Sequence, residues 1–206
     1  MDNLITFSIT VFTAFFAITN PISNMTVFVS LTQGADKKTK EDINKKSNFI
    51  AFIIVAVFVL LGKYIFELFN ISIPAFKITG GILIFFIGFD MLQSKTSNVK
   101  SLNDVHVDEN IAVSPLAIPI LAGPGTIVTA MNFVANVETI HIILVILIFG
   151  SMSLITYFTF KLSDLIVKIV GHNVISVIGK IMGLIIAIIG TGMIITGIKL
   201  SFNLMA

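Results

Sequence analysis

Six long apolar stretches run through the chain, and they constrain its fold more than any other feature. Each is about as long as the roughly 20 residues that a helix needs to cross the hydrocarbon core of a bilayer. Within each stretch, apolar residues cover all sides of the predicted helix and do not form a single stripe, which is typical of helices embedded in lipid. We therefore predict an all-α membrane protein with six transmembrane helices. In chain order the stretches cover approximately Leu4–Leu31, Phe49–Phe69, Ile73–Leu92, Ala112–Asn136, Ile140–Phe160 and Val177–Leu200.

Composition excludes a soluble globular domain and argues against a nucleic-acid-binding protein. Only 12% of the 206 residues are charged, about half of the roughly 25% found in soluble domains. The net charge is +2 and every basic residue is Lys, whereas Arg is the usual bidentate reader of phosphates and bases. We therefore expect the lipid bilayer, and no nucleic acid, as a partner.

Signatures of an enzyme or of a bound cofactor are missing from the sequence. There is no cysteine, and motifs such as G-x-S-x-G, H-E-x-x-H and the phosphate-binding loop do not occur. We expect no catalytic residues, no cofactor and no metal site. A solvated polar loop is favoured over a metal site for the acidic and histidine-containing segment that follows predicted helix three.

The placement of the lysines predicts the orientation of the chain. Nine of the thirteen lysines lie in the connections between helices one and two, three and four, and five and six. Cytoplasmic loops are the Lys-rich ones, so we expect a multi-pass protein of the cell inner (plasma) membrane with both termini outside. The polar segment 94–111 is the predicted cytoplasmic linker. The nine residues are Lys37, Lys38, Lys40, Lys45, Lys46, Lys95, Lys100, Lys161 and Lys168.

The two halves of the chain resemble each other at a shift of 103 residues. Pro21 then meets Pro124, and Lys77 meets Lys180; both residue types are rare within membrane spans. Each half contains three predicted helices, an odd number, so the second half enters the membrane upside down. Inverted repeats of this kind build many secondary transporters. We predict residues 1–93 as the first repeat and 112–206 as the second.

Helices one and four are predicted to break near the middle of the membrane. Proline removes a backbone donor and clashes with the preceding turn, and neighbouring glycines let the backbone unwind further. A broken helix exposes a new N-terminal end, which attracts anions such as a carboxylate. Ordinary proline kinks are the alternative interpretation. The candidate substrate-binding residues are Asn20, Pro21, Ser23, Asn24, Gly123, Pro124, Gly125 and Thr126.

Three charged residues near span ends have two interpretations each. Asp90 is a candidate for coupling to an ion, or else a helix-end carboxylate at the interface. Lys77 and Lys180 are expected to anchor their helices at opposite interfaces, in preference to a role in substrate binding or coupling. Small residues are expected to let two helices pack closely, namely Gly80, Gly81, Gly88, Gly183, Gly190 and Gly192.

These residues together resemble the MarC family of bacterial and archaeal inner-membrane proteins, within the LysE-type exporter group. The resemblance covers nearly the whole chain. Family members commonly have Arg where Lys77 and Lys180 stand, and Lys keeps the charge but loses the bidentate fork. The residues that carry the resemblance are Asn20-Pro21, Ala75–Leu83 continuing to Asp90–Leu92, Pro115–Pro119, Ala122–Gly125 and Gly179–Gly183.

The resemblance implies a transporter of small neutral amino acids such as glycine and alanine. It implies that the substrate carboxylate binds at the broken helices, around residues 20–24 and 123–126, with coupling to H⁺ or Na⁺. We expect the two halves to alternate access around this site. A non-transporting membrane scaffold or accessory subunit is the alternative from another functional class. The sequence leaves the exact substrate, the direction of transport and the oligomeric state open.

Overall fold

The computed structural model describes residues 2–93, 112–135 and 137–202, and these residues form helices and turns with no β-strand among them. The predicted linker 94–111 lies outside the described residues. We label the single π-helical segment π1. The helices are α1 (Asp2–Thr19), α2 (Pro21–Leu31), α3 (Lys37–Leu68), α4 (Ile73–Gln93), π1 (Val113–Leu121), α5 (Pro124–Val134), α6 (Thr139–Lys161), α7 (Ser163–Val170) and α8 (His172–Ser201).

Five helical stretches of the described residues are long and apolar enough to cross a membrane. They confirm the prediction of an all-α membrane protein. The predicted fourth stretch, Ala112–Asn136, instead contains π1 and α5, which have 9 and 11 residues. Neither alone reaches the roughly 20 residues of a full span, so the total of six spans remains a prediction. The five stretches are Leu4–Leu31, Lys37–Gly62, Ile73–Gln93, Thr139–Lys161 and Asn173–Ser201.

The second long helix begins twelve residues before its predicted start at Phe49. The side chain of Asp36 caps α3 by accepting a hydrogen bond from the Thr39 N–H at 2.8 Å. Hydrogen bonds from Thr39 also hold the pKa of the Asp36 carboxyl below its usual range. The lysines predicted for a loop therefore lie on the first turns of α3, since a good N-cap extends the helix into polar sequence.

The predicted connection between helices five and six is wrong in a similar way. It contains the short helix α7, and α8 starts at His172 rather than at Val177. Lys40 near the start of α3 approaches Asp164 of α7, with 3.5 Å between Nζ and Oδ2. This exposed pair contributes little stability, but it shows that two of the three Lys-rich connections lie at the same end of the molecule.

Glycines hold α4 and α8 in close contact. A Cβ added to Gly81 would lie 2.6 Å from the carbonyl oxygen of Gly190, and one added to Gly88 would lie 2.5 Å from that of Gly183. Only glycine permits backbones to approach this closely, which confirms the expectation for these four residues. The expectation was wrong for Gly192, because a Cβ there would meet nothing within 4 Å.

The main apolar core lies where α1, α2, π1, α3 and α6 meet. Phe15, Met25 and Leu116 are fully buried there, and Met152 packs with them. A smaller cluster around Ile84 joins α4 and α8 to α1. Residues of both broken helices therefore contribute to the core, while Ser114 and Ile118 of π1 are exposed.

Candidate functional site

The first break separates α1 from α2 at a single residue, Asn20. Its backbone is left-handed, with φ 36° and ψ 65°. Asn is one of the few residues besides Gly that adopt this conformation readily. Pro21 follows at the first position of α2, where its fixed φ suits a helix and its missing N–H is not needed. Local chemistry therefore produces the predicted break at the predicted place.

Two amides connect the ends of this break. The Ser23 N–H donates to Asn20 Oδ1 at 3.3 Å, which caps α2. The Asn24 amide crosses the break and donates to the carbonyl oxygen of Thr19 at 2.7 Å. Both contacts occupy groups that helix ends leave without intrahelical partners. The first break thus satisfies part of its own backbone.

Two polar atoms at the first break have no hydrogen-bond partner among the described residues. They are Asn20 Nδ2 and Ser23 Oγ, and both atoms are buried. Asn20 as a whole is only 3% exposed. Buried polar atoms almost always have a partner, so an unpaired one needs an explanation. Both atoms are able to donate a hydrogen bond to an anionic or carbonyl oxygen.

The second break is longer and more irregular. Inside π1, Ser114 and Ile118 have extended backbone angles. The Ala122 N–H donates to the Ala117 carbonyl at 2.8 Å, and Gly123 is extended with φ −73° and ψ 170° before α5 begins at Pro124. Like α2, α5 has 11 residues and starts with proline. The two half-helices begin 103 residues apart, since 124 minus 21 is 103.

The N-terminal end of α5 lacks a side-chain cap in the described part of the chain. Gly123, Gly125 and Thr126 are buried, while Pro124 is exposed. The backbone N–H groups of Gly125 and Thr126 belong to the first turn, which has no intrahelical acceptors. A buried, uncapped helix N-terminus is well suited to bind an anion.

The expectation that Gly125 helps the helix to unwind is wrong. Gly125 instead permits close packing. A Cβ at this position would lie 2.8 Å from Ile87 Cδ1 and 3.0 Å from Ile18 Cδ1. Gly125 itself is helical, and any residue can adopt the extended angles of Gly123. The missing side chain lets the first turn of α5 lie against α1 and α4.

The two breaks lie next to each other. Thr19 and Leu121, the last residues of α1 and π1, line the same small cavity. Ile18 and Gly125 are also in contact across the breaks. The tertiary structure therefore brings candidate residues from both halves of the sequence together.

None of the charged candidates is among the described residues that line the small cavity. Asp90 is exposed, one turn after Ile87 on α4. Lys77 is half-buried and its Nζ donates to Asn132 Oδ1 of α5 at 2.6 Å, whereas Lys180 is exposed. The two lysines that were expected to be equivalent anchors thus have different surroundings.

The sequence analysis missed a polar cluster on α3. Asn44 and Asn48 are buried, and Asn44 Nδ2 donates to the carbonyl oxygen of Tyr157 on α6 at 2.9 Å. Asn48 Nδ2 donates to Asn44 Oδ1 at 2.9 Å. The buried Ser47 lies on the same face, at the i, i+3, i+4 spacing of a helical stripe. The predicted start at Phe49 placed all three outside the helix.

An open groove of about 560 Å³ lies outside this cluster, between α3 and α6. Its walls are almost entirely apolar, and Asn48 and Ser153 line both the groove and the small cavity at the breaks. The side chains of Asn48 and Ser153 therefore lie between the small cavity and the open groove. The other lining residues are Lys45, Phe49, Phe52, Gly150, Leu154 and Tyr157.

Comparisons with known proteins identify the family. The model of the MarC family integral membrane proteins matches residues 5–202. The UPF0056 membrane protein YvbG of Bacillus subtilis is 38% identical, with 95% of this chain and 96% of that protein covered. The UPF0056 membrane protein PH0760 of Pyrococcus horikoshii is 39% identical, covering 94% of each chain.

A more distant relative extends the same pattern. The UPF0056 membrane protein YhcE of Escherichia coli is 32% identical, with 91% of this chain and 90% of that protein covered. No solved structure matches the chain. Because the family model and these relatives span nearly its whole length, the chain belongs to the MarC family of integral membrane proteins.

Proposed function

We propose that this chain is a secondary transporter that moves small neutral amino acids, such as glycine or alanine, across the inner membrane. The observation that carries the proposal is the buried, uncapped N-terminus of α5 beside the first break. Its free N–H groups would receive the substrate carboxylate. Asn20 Nδ2 and Ser23 Oγ, which are buried and have no hydrogen-bond partner among the described residues, would supply further donors.

The buried side chains support a neutral, zwitterionic substrate. Every fully buried polar side chain of the described residues is a Thr, Asn or Ser. A permanently charged substrate side chain would need an opposite charge, because burying an unpaired charge is very unfavourable. Close packing around Gly125 favours a small substrate, since the ends of the Ile87 and Ile18 side chains would lie 2.8 and 3.0 Å from a Cβ there.

Alternating access would use the two halves of the chain. In this proposal π1 and α5 together form the sixth crossing, and each half contributes one broken helix to an inverted repeat. The equal length of α2 and α5, and the proline that starts each, support that arrangement. Broken helices at corresponding positions are the usual location of a transporter's substrate site. Coupling to H⁺ or Na⁺ is part of the proposal, with Asp90 as the sequence-based candidate.

Transport is tested directly in proteoliposomes. The purified protein would be reconstituted and loaded with unlabelled glycine, and entry of labelled glycine or alanine would be followed by counterflow. We expect exchange well above that of empty liposomes and competition by small neutral amino acids only. Folded protein that gives no exchange with either substrate contradicts the proposal and favours the scaffold or accessory-subunit interpretation.

Orientation is tested separately by single-cysteine labelling, since the natural chain contains no cysteine. We propose that both termini face outward and that the Lys-rich end faces the cytoplasm. A cysteine at Gln33, in the turn before α3, should react with a membrane-impermeant thiol reagent only after permeabilisation. A cysteine at Ile71, in the turn after α3, should react in intact cells. The reverse pattern contradicts the proposed orientation.

A further inference from the structure

The small cavity at the breaks has the properties of a cation site. Such a site is separate from the proposed amino acid site, which does not require it. Its volume is about 10 Å³, roughly the space of one water molecule. Thr19, Asn48 and Thr156 are each at least nine-tenths buried, and Ser153 is the fourth polar residue of the lining. The described lining contains no charged residue.

All three hydroxyl groups of the lining already donate their hydrogens to helix carbonyls. Thr19 Oγ1 donates to Phe15 O at 2.6 Å. On α6, Thr156 Oγ1 donates to Met152 O at 2.9 Å and Ser153 Oγ donates to Phe149 O at 3.1 Å. A hydroxyl that donates its single hydrogen elsewhere offers only lone pairs to a further partner.

A chain of hydrogen bonds orients the amide of Asn48 so that it too offers an acceptor. The Tyr157 carbonyl can only accept, so the Asn44 group 2.9 Å from it must be the NH₂. Asn44 Oδ1 therefore accepts, and Asn48 must donate to it. Asn48 Nδ2 also donates to the Asn44 carbonyl at 3.0 Å. With both hydrogens used, Asn48 keeps Oδ1 as its remaining group.

The end of α1 adds a favourable field. Thr19 is the last residue of α1, and the C-terminal end of a helix carries a partial negative charge. Interrupted membrane helices use such ends, together with neutral oxygens, to hold Na⁺. The N-terminal end of α5, which has no side-chain cap among the described residues, remains available for an anion.

We propose that the cavity lined by Thr19, Asn48, Ser153 and Thr156 binds one small monovalent cation, Na⁺. Its size admits a single-atom ion but not an amino group that is attached to carbon. The site does not depend on the proposed amino acid site. If both are correct, Na⁺ binds near the C-terminal end of α1 while the substrate carboxylate binds at the N-terminal end of α5.

The test is thermal unfolding of the purified full chain without amino acids, in NaCl, KCl or choline chloride at equal ionic strength. Na⁺ at about 20 times its Kd should raise the melting temperature by about 5 °C for a chain of this size. Equal melting temperatures in the three salts overturn the proposal, because the cavity then holds water. Stabilisation by methylammonium but not by Na⁺ also overturns it.

Two threonines of α6 provide a matched pair of variants. Thr156→Val removes an oxygen of the cavity, and we expect the Na⁺-dependent shift to disappear. Thr159→Val is the control, since Thr159 Oγ1 makes the same kind of bond, to Ile155 O at 2.8 Å, but does not line the cavity. If Thr156→Val does not fold, Ser153→Ala is measured in its place.

A Na⁺ shift that persists in both cavity variants places the ion elsewhere and overturns the assignment. Glycine exchange is measured on the same preparations, so that failure of the cation site and failure of the transport proposal are distinguishable. In the unsubstituted protein, glycine exchange without a Na⁺-dependent shift refutes only the cation site. A Na⁺-dependent shift without glycine exchange refutes only the transport proposal.

Discussion

The two breaks share a proline at the first position of the second half-helix, but they treat their free backbone groups differently. At the first break Asn20 caps α2 and Asn24 reaches back to the Thr19 carbonyl. At the second break Gly123 has no side chain, and the first turn of α5 is uncapped in the described structure. The comparison indicates that the first break offers a ligand only side-chain donors, Asn20 Nδ2 and Ser23 Oγ, whereas the second offers the backbone N–H groups at the start of α5.

The largest effect is expected at the closest contact of the second break. Gly125→Leu places a branched side chain where even a Cβ would lie 2.8 Å from Ile87 Cδ1. Overpacking of this kind typically costs about 1–3 kcal/mol or displaces the backbone. We expect glycine exchange to fall to the level of empty liposomes while the protein still inserts. Gly192→Leu is the matched control, because a Cβ at Gly192 meets nothing within 4 Å, and exchange should persist there.

The next largest effect is expected from a substitution that removes the side-chain amide of Asn20 and keeps its backbone conformation. Asn20→Gly retains the left-handed conformation but removes the unpaired Nδ2 donor. A lost hydrogen bond to a charged group is worth about 1.5–3 kcal/mol, so we expect KM for glycine to rise by roughly tenfold or more. Asn70→Gly, at the other described non-glycine residue with positive φ, is the control. An unchanged KM in Asn20→Gly would exclude this amide from the site.

A smaller effect should follow from capping the second break as the first is capped. The angles of Gly123 suit an N-cap serine, and Gly123→Ser should stabilise α5 by a few tenths of a kcal/mol. The new hydroxyl would compete with the substrate carboxylate for the same N–H groups, so KM should rise by about threefold. Thermal unfolding and exchange kinetics measure both changes. Higher stability with an unchanged KM would place the carboxylate elsewhere.

The smallest effects distinguish two neighbours at the first break. Asn24→Ala removes the 2.7 Å bond to the Thr19 carbonyl, and we expect about 1 kcal/mol less stability, or about 3 °C in melting temperature. Ser23→Ala removes an unpaired hydroxyl and should leave stability unchanged while raising KM by less than about threefold. Equal losses of stability in both variants would contradict a structural role for Asn24 and a binding role for Ser23.

Much of this site was predictable because proline and asparagine act locally. The pyrrolidine ring fixes φ and lacks an N–H wherever it stands, so Pro21 and Pro124 located the starts of α2 and α5. The polar cluster of Asn44 and Asn48 was missed because the apolar pattern begins only at Phe49. Asp36 is a typical N-cap residue, and treating it as the start of α3 would have placed both asparagines on the helix.

The sequence by itself determined the membrane-embedded helical class and the positions of the two breaks, since hydropathy and proline chemistry do not depend on distant neighbours. Only the tertiary structure decided that Gly125 serves close packing against Ile18 and Ile87. It likewise decided which polar atoms remain unpaired. Such outcomes depend on residues far apart in the chain, because a donor is free or used, and a space open or filled, only once the helices have packed.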